Sequence, residues 1–98
     1  MNQEKLNELL IEACKLNHLE IVKTLLDNRA DVHAWDDGAL RWASERGHLE
    51  VVKLLLENGA DVHAWYDDAS YLASRYGHTE VVNLLKEYMK KGISNDIT

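Results

Sequence analysis

Apolar residues along the chain fall into short stripes, each closed by a polar or glycine break. Leu6, Leu9, Leu10, Ala13 and Cys14 recur at three- and four-residue steps. That spacing lines one face of a helix from Lys5 to Leu16. Asn2 stands where a side chain caps such a helix, and Glu4 lies near its positive end. The polar pair Asn17-His18 ends it. Ile21, Val22, Leu25 and Leu26 mark a second helix, Leu19 to Asp27, and residues 28–36 read as a loop. The pattern then returns. Asp36 or Asp37 is expected to cap a helix through Arg46, and Gly47 supplies the left-handed residue that stops it. Leu49 to Glu57 follows, closed by Asn58-Gly59. A third pair runs from Asp67 to Tyr76 and, after Gly77, from Thr79 to about Lys91, with Gly92 as the stop and residues 93–98 as a frayed tail.

The return has a fixed period. His18, His48 and His78 are 30 residues apart, as are Glu20, Glu50 and Glu80, and Ala13, Ala43 and Ala73. Trp35 and Trp65 keep the same spacing. A constant period of this size predicts a solenoid of stacked units. Helices of about ten residues are marginal alone in water, so stability must come from stacking, and three units are about the minimum. The expectation is one domain, 1–98, with units near 3–35, 36–65 and 66–92. Lys86 and Lys90 align with Leu56 and Ala60. They should therefore be exposed on a polar end face, where the array is expected to stop. Arg29 fills the place of Gly59 and should be left-handed despite its side chain.

Composition narrows the functions. The 98 residues carry a net charge of −6 and contain no proline or phenylalanine. The sign opposes a nucleic-acid backbone as partner. Lys90-Lys91 is the only adjacent basic pair. One cysteine, Cys14, allows no internal disulfide, and the start lacks a signal-peptide pattern. No apolar run approaches the roughly 20 residues of a membrane span. A cytoplasmic protein with no membrane association is expected.

Candidate chemistry is sparse. Cys14 lies beside Ala13 in a column continued by Ala43-Ser44 and Ala73-Ser74, small residues that let neighbouring helices approach. The histidine column invites a metal reading. Units in such a stack lie roughly 10 Å apart, too far for imidazoles to share an ion at about 2 Å each. No Gly-rich phosphate loop, nucleophile elbow or metal-binding motif is present. No enzyme, metal or cofactor is expected.

The segment GHLEVVKLLLENGADVHA at 47–64 resembles the ankyrin repeat, and the likeness recurs at 17–34 and more loosely at 77–88. The resemblance implies an all-α ankyrin-repeat solenoid of three helix-turn-helix units. It also implies that the column histidines fix the turn between helices through a backbone hydrogen bond. The usual Thr-Pro-Leu-His entry is replaced by Gly38-Ala39-Leu40-Arg41 and Asp68-Ala69-Ser70-Tyr71, and His33 and His63 stand where the family has Asn. The unit is about three residues shorter than the usual 33, so tight, finger-less loops are expected. This shortened form resembles the ankyrin arrays of giant DNA viruses of amoebae.

The resemblance also implies a protein-binding role. In the family, the slot that closes one unit and the last residues of each first helix face the concave side and touch ligands. Carried over, these are Trp35 and Trp65, then Lys15-Leu16, Glu45-Arg46 and Arg75-Tyr76. Tyr66, Trp42 and Tyr71 extend the surface. Interfaces are enriched in Trp, Tyr and Arg. The two indoles, rimmed by Asp36, Asp37, Asp67 and Asp68, are expected to meet a basic or arginine-containing protein or peptide, as a viral or effector-like adaptor acting as a monomer in the host cytoplasm. The rival expectations are a structural or self-associating capped repeat fragment, and an engineered scaffold.

Overall fold

The computed structural model describes the backbone of residues 1–97 and the side chains of residues 1–91. Among them are six α-helices and no strand: α1 (Gln3–Lys15), α2 (Leu19–Asp27), α3 (Ala34–Arg46), α4 (Leu49–Glu57), α5 (Ala64–Arg75) and α6 (Thr79–Ile97). They pair as α1/α2, α3/α4 and α5/α6, and successive pairs stack. The first helices α1, α3 and α5 pack more closely together than the second helices do. The stack therefore curves, with the first helices on its inner side. Loops without strands match the finger-less architecture read from the short period.

The core is the set of stripes seen in the sequence. Leu10 and Leu40 from the inner helices meet Val22, Val52, Leu55 and Leu85 from the outer ones, all fully buried. Ala13, Ala43 and Ala73 are buried between inner helices, with Cys14 and Ser44 beside them. Burial pushes the Cys14 thiol up to about 12, so it packs as a small apolar group and is inert as a nucleophile. Val51 and Val81 are buried, whereas Ile21, their counterpart in the first unit, is half-exposed. At the other end Lys86 and Lys90 are exposed, as their alignment with Leu56 and Ala60 requires.

Two of the column histidines, His48 and His78, act between units. His48 Nε2 donates to Lys15 O at 2.9 Å, and His78 Nε2 donates to Glu45 O at 2.9 Å. Each imidazole thus satisfies a carbonyl at the C-terminal end of the previous inner helix, where no intrahelical donor remains. Gly47 is doubly constrained. Its φ is 73°, and a Cβ there would collide with the His78 ring. Arg29 takes φ 70°, the left-handed value its alignment with Gly59 implies.

Helix ends follow the expectation in part. Asn2 caps α1 through Lys5 N at 2.8 Å. The helix α6 continues through Gly92 to Ile97, past the expected stop. The expected tail at 93–98 falls on residues whose side chains, and at Thr98 the backbone too, lie outside those described.

The entries to α3 and α5 depart most. Trp35, Asp36 and Asp37 have φ between 53° and 57°, and Trp65, Tyr66 and Asp67 between 56° and 63°. Each run is one left-handed turn set before a right-handed helix. A left-handed residue with a side chain costs roughly 1–2 kcal/mol, so each turn needs support. One i to i+4 bond closes each: Asp37 N to His33 O at 3.1 Å and Asp67 N to His63 O at 3.2 Å. The expected aspartate caps do not form, because the backbone enters each helix from this turn and turns the carboxylates elsewhere. Asp37, only 4% exposed, accepts from Asp61 N at 2.7 Å and from His33 Nδ1 at 3.0 Å. Asn7, 30 residues earlier, accepts from Asp31 N at 2.8 Å in the same way. A short loop is thus replaced by a tight turn, and the first such turn is pinned to the loop before α5.

Candidate functional site

The turns set their aromatic residues on the edge of the stack. Trp35 is 61% exposed, Trp65 58% and Tyr66 99%. None belongs to the core, so their hydrophobic area does not stabilise the fold by burial. Left-handed backbone at Trp and Tyr is uncommon, and here it turns large rings outward on a strained support.

The two indoles differ in their surroundings. Trp65 Nε1 donates to Asp36 Oδ2 at 2.9 Å, and the Arg41 guanidinium sits 5.3 Å from the ring centroid. Arg41 is itself fixed. Its Nη2 donates to Trp35 O at 2.9 Å, its Nε to Asp36 O at 3.0 Å, and its Nη1 pairs with Asp68 at 3.4 Å. One arginine therefore collects the carbonyls of the first left-handed turn and stacks on the tryptophan of the second. The positions that would serve Trp35 likewise, 30 residues earlier, are Leu6 and Ile11. They offer neither carboxylate nor guanidinium, and among the described residues nothing accepts from the Trp35 indole N–H.

The carboxylates expected as a free acidic rim are engaged within the molecule. Asp36 holds Trp65, Asp68 holds Arg41, Asp37 is buried, and Asp67 accepts from His63 Nδ1 at 2.6 Å. The Asp37 hydrogen bond raises the His33 pKa above its ordinary value, with the charges of Asp37, Asp31 and Asp61 adding to it against partial burial. Among the described residues, no three His, Cys, Asp or Glu side chains converge to hold a metal. Nor is any described helix long and apolar enough to cross a membrane.

A second cluster lies on the inner face. Trp42, at the border of exposure, has Lys15 Nζ 4.2 Å and the Arg46 guanidinium 5.3 Å from its ring centroid. Cations on a tryptophan face are held by its quadrupole. Arg75 sits 5.9 Å from the Tyr76 ring, and Tyr71 and Tyr76 are both more than half exposed. A small notch between α3 and α5 is lined by Arg41, Trp42, Glu45 and Leu72. The structure thus divides the sequence-read residues in two. Trp35, Trp65 and Tyr66 share the loop edge, while Trp42, Glu45, Arg46, Tyr71, Arg75 and Tyr76 share the inner face with Lys15.

Arg41 is the residue that the sequence reading passed over. Its signal was present: a cation in place of the motif histidine, six residues after one tryptophan and 24 before the next.

A family model, ankyrin repeats (3 copies), matches residues 1–66, about two thirds of the chain. The last helix pair, most of it beyond that match, repeats the same bonding, as His78 shows.

Proposed function

We propose, because the chain belongs to the ankyrin-repeat family, that it is a binding module that holds one protein partner along the loop edge and inner face. Ankyrin repeats are generally protein–protein interaction modules. The observation that carries the reading is the pair Trp35 and Trp65, both more than half exposed at the same place in successive units. Exposed indoles on a rigid scaffold are the usual anchors of interface hot spots. Trp35 is the freer of the two: among the described residues nothing accepts from its indole N–H and no cation lies on its ring. It is the platform for a partner arginine, and the chain's charge of −6 favours a basic partner at this edge. The partner-binding set is Trp35, Trp65, Tyr66, Trp42, Glu45, Arg46, Tyr71, Arg75 and Tyr76. The protein acts in the cytoplasm, as an adaptor of the viral or effector type, with no catalytic step of its own.

The test is affinity capture from host lysate followed by mass spectrometry, with wild type, Trp35→Ala and Trp65→Ala side by side. An exposed anchor costs about 2 kcal/mol or more of binding when truncated, or about 30-fold in affinity. A buried aromatic truncated to Ala costs about 3–5 kcal/mol of stability. The variants should keep nearly the wild-type denaturation midpoint and lose the partner. Readily unfolding variants whose folded fraction still binds at wild-type strength would make the tryptophans structural.

Self-association is a second reading, favoured by one observation. Ile21 is half-exposed, where its counterparts Val51 and Val81 in the later units are buried. Light scattering over a range of concentrations separates the two readings. A constant monomer mass supports the binder, and a rising mass abolished by Ile21→Lys supports the self-associating subunit.

A further inference from the structure

We infer that the inner-face strip of Lys15, Trp42, Arg46, Tyr71, Arg75 and Tyr76 docks an extended acidic peptide segment, whose carboxylates are held by Arg46 and Arg75. This rests on the reading of the chain as a protein-binding module and adds the chemistry of the partner at one face.

Charge is the first ground. The chain as a whole is acidic, at −6, yet this strip carries three cations. Glu12 is already paired with Lys15 at 3.5 Å. Among the described residues neither Arg46 nor Arg75 forms an ion pair with a carboxylate. The rings are the second ground. The guanidinium carbons of Arg46 and Arg75 lie over the rings of Trp42 and Tyr76, at 5.3 and 5.9 Å from their centroids. The ring restricts a flexible side chain, and among the described residues Arg46 makes one long hydrogen bond, from Nη1 to Lys15 O at 3.5 Å, which leaves further N–H groups to meet a carboxylate. Spacing is the third. Arg46 ends α3 and Arg75 ends α5, neighbouring packed helices whose axes lie about 8–10 Å apart. Three residues of polyproline II chain span about 9 Å and complete one turn, so in that extended form carboxylates at every third position face successive units. Tyr71 and the Trp42 notch flank the path and offer apolar contact between the charges.

A nucleic acid is the other polyanion to weigh. Three cations interleaved with Glu12 and Glu45, on a molecule of net negative charge, neutralise few phosphates. A peptide with spaced carboxylates meets the same cations without bringing a continuous line of charge.

The experiment is selection of a random dodecapeptide display library on the full chain, with the selected sequences remade as fluorescent peptides for polarisation measurements. The expected peptides carry Asp or Glu at three-residue intervals. Their Asn/Gln versions should bind about tenfold more weakly or worse, the loss of one charge-assisted hydrogen bond being of that order. Arg46→Gln with Arg75→Gln should cost the same or more, with an unchanged circular dichroism spectrum. The Lys double variant should recover part of the loss, and Lys53→Gln, at an exposed cation on the outer helix α4, should leave this binding intact. Affinity should fall as salt rises. A selection yielding no peptides, or neutral or basic ones, overturns the inference. So do acidic peptides indifferent to Arg46 and Arg75, or a single-stranded oligonucleotide that outcompetes them at the strip. A lysate partner lost with Trp35→Ala but kept by the double Gln variant sinks this inference and leaves the binding-module reading standing. Failure of both capture and selection sinks both.

Discussion

The turns at Trp35–Asp37 and Trp65–Asp67 have the same backbone and unequal support. Both run left-handed through three residues with side chains, and both are closed by one bond to the carbonyl of a histidine. The first turn has more. Its Asp37 carboxylate is buried and pins the loop before α5 at Asp61 N, and Arg41 collects the carbonyls of Trp35 and Asp36. In the second turn Asp67 is half-exposed, and Tyr71 stands where Arg41 would. The pair teaches that the strained conformation follows from the short unit, while its cost is met by whatever neighbours each unit supplies. The better-supported turn carries the freer tryptophan. The less-supported one carries a tryptophan tied to the first by Asp36 and Arg41.

Breaking the support should hurt the first turn most. Asp37→Ala removes a buried acceptor of two hydrogen bonds and strands Asp61 N–H. Bonds to charged groups are worth about 1.5–3 kcal/mol, so a loss of about 2–3 kcal/mol in urea denaturation is expected. Asp67→Ala, at an exposed carboxylate, should cost under about 1 kcal/mol. Asp37→Asn should recover much of the loss, because Asn7 makes the equivalent bond to Asp31 N. Equal losses at Asp37 and Asp67 would erase the distinction between the turns.

Arg41→Met comes next. It keeps the stem and loses the bonds to two carbonyls, the Asp68 pair and the cation over Trp65. A loss of about 1–2 kcal/mol is expected, since these are partly exposed hydrogen bonds rather than core packing. Trp65 fluorescence should shift, with Trp35→Phe and Trp42→Phe as background so that one indole reports. An unmoved spectrum would show that Asp36 alone holds the ring. Glycine sharpens the comparison from the other side. Tyr66 is 99% exposed and left-handed, so Tyr66→Gly should stabilise by about 1 kcal/mol through relief of strain. Asp36→Gly relieves the same strain and loses the Trp65 bond, so its net effect should be near zero.

The repeat, the helices α2 and α4 to the residue, and the core stripes were all legible in the sequence, because period and apolar spacing are local signals. Arg29 shows how far alignment between units reaches, as its left-handed backbone followed from Gly59. The left-handed turns were not legible. Tryptophan and tyrosine are poor residues for that conformation, so propensity pointed to a loop capped by aspartate, and a tertiary bond to Asp61 N overrode it. The acidic rim failed for a related reason. Carboxylates adjacent in sequence were counted as free charge, yet Asp36, Asp37 and Asp68 each find a partner far along the chain: Trp65 at the start of α5, Asp61 N in the loop before it, and Arg41 in α3. Exposure of Trp35 and Trp65 followed from their position outside the stripes, but the asymmetry between them depends on Arg41 and on Leu6 and Ile11 one unit earlier. That is a contrast between units rather than a property of the repeat.

The smallest expected effect is a pH dependence at the first turn. His33 Nδ1 donates to Asp37, and that hydrogen bond, chiefly, raises the His33 pKa above 6.5. A raised histidine pKa means that the folded state binds the proton more tightly than the unfolded chain does. The stabilisation is complete below the unfolded value, about 6.5, and is lost as pH rises through the folded value. Neutral imidazole still donates through Nδ1, so the bond persists at high pH and only its charge assistance goes. The ring is 55% exposed, so solvent screens much of the effect. Urea midpoints should therefore decline slightly from weakly acidic to weakly alkaline pH, and His33→Asn should remove that part of the slope. Proton NMR of the His33 ring gives the titration directly. A midpoint at or below 6.5 would show that the Asp37 bond does not favour the charged ring, and the buried carboxylate would then owe its place to Asp61 N alone.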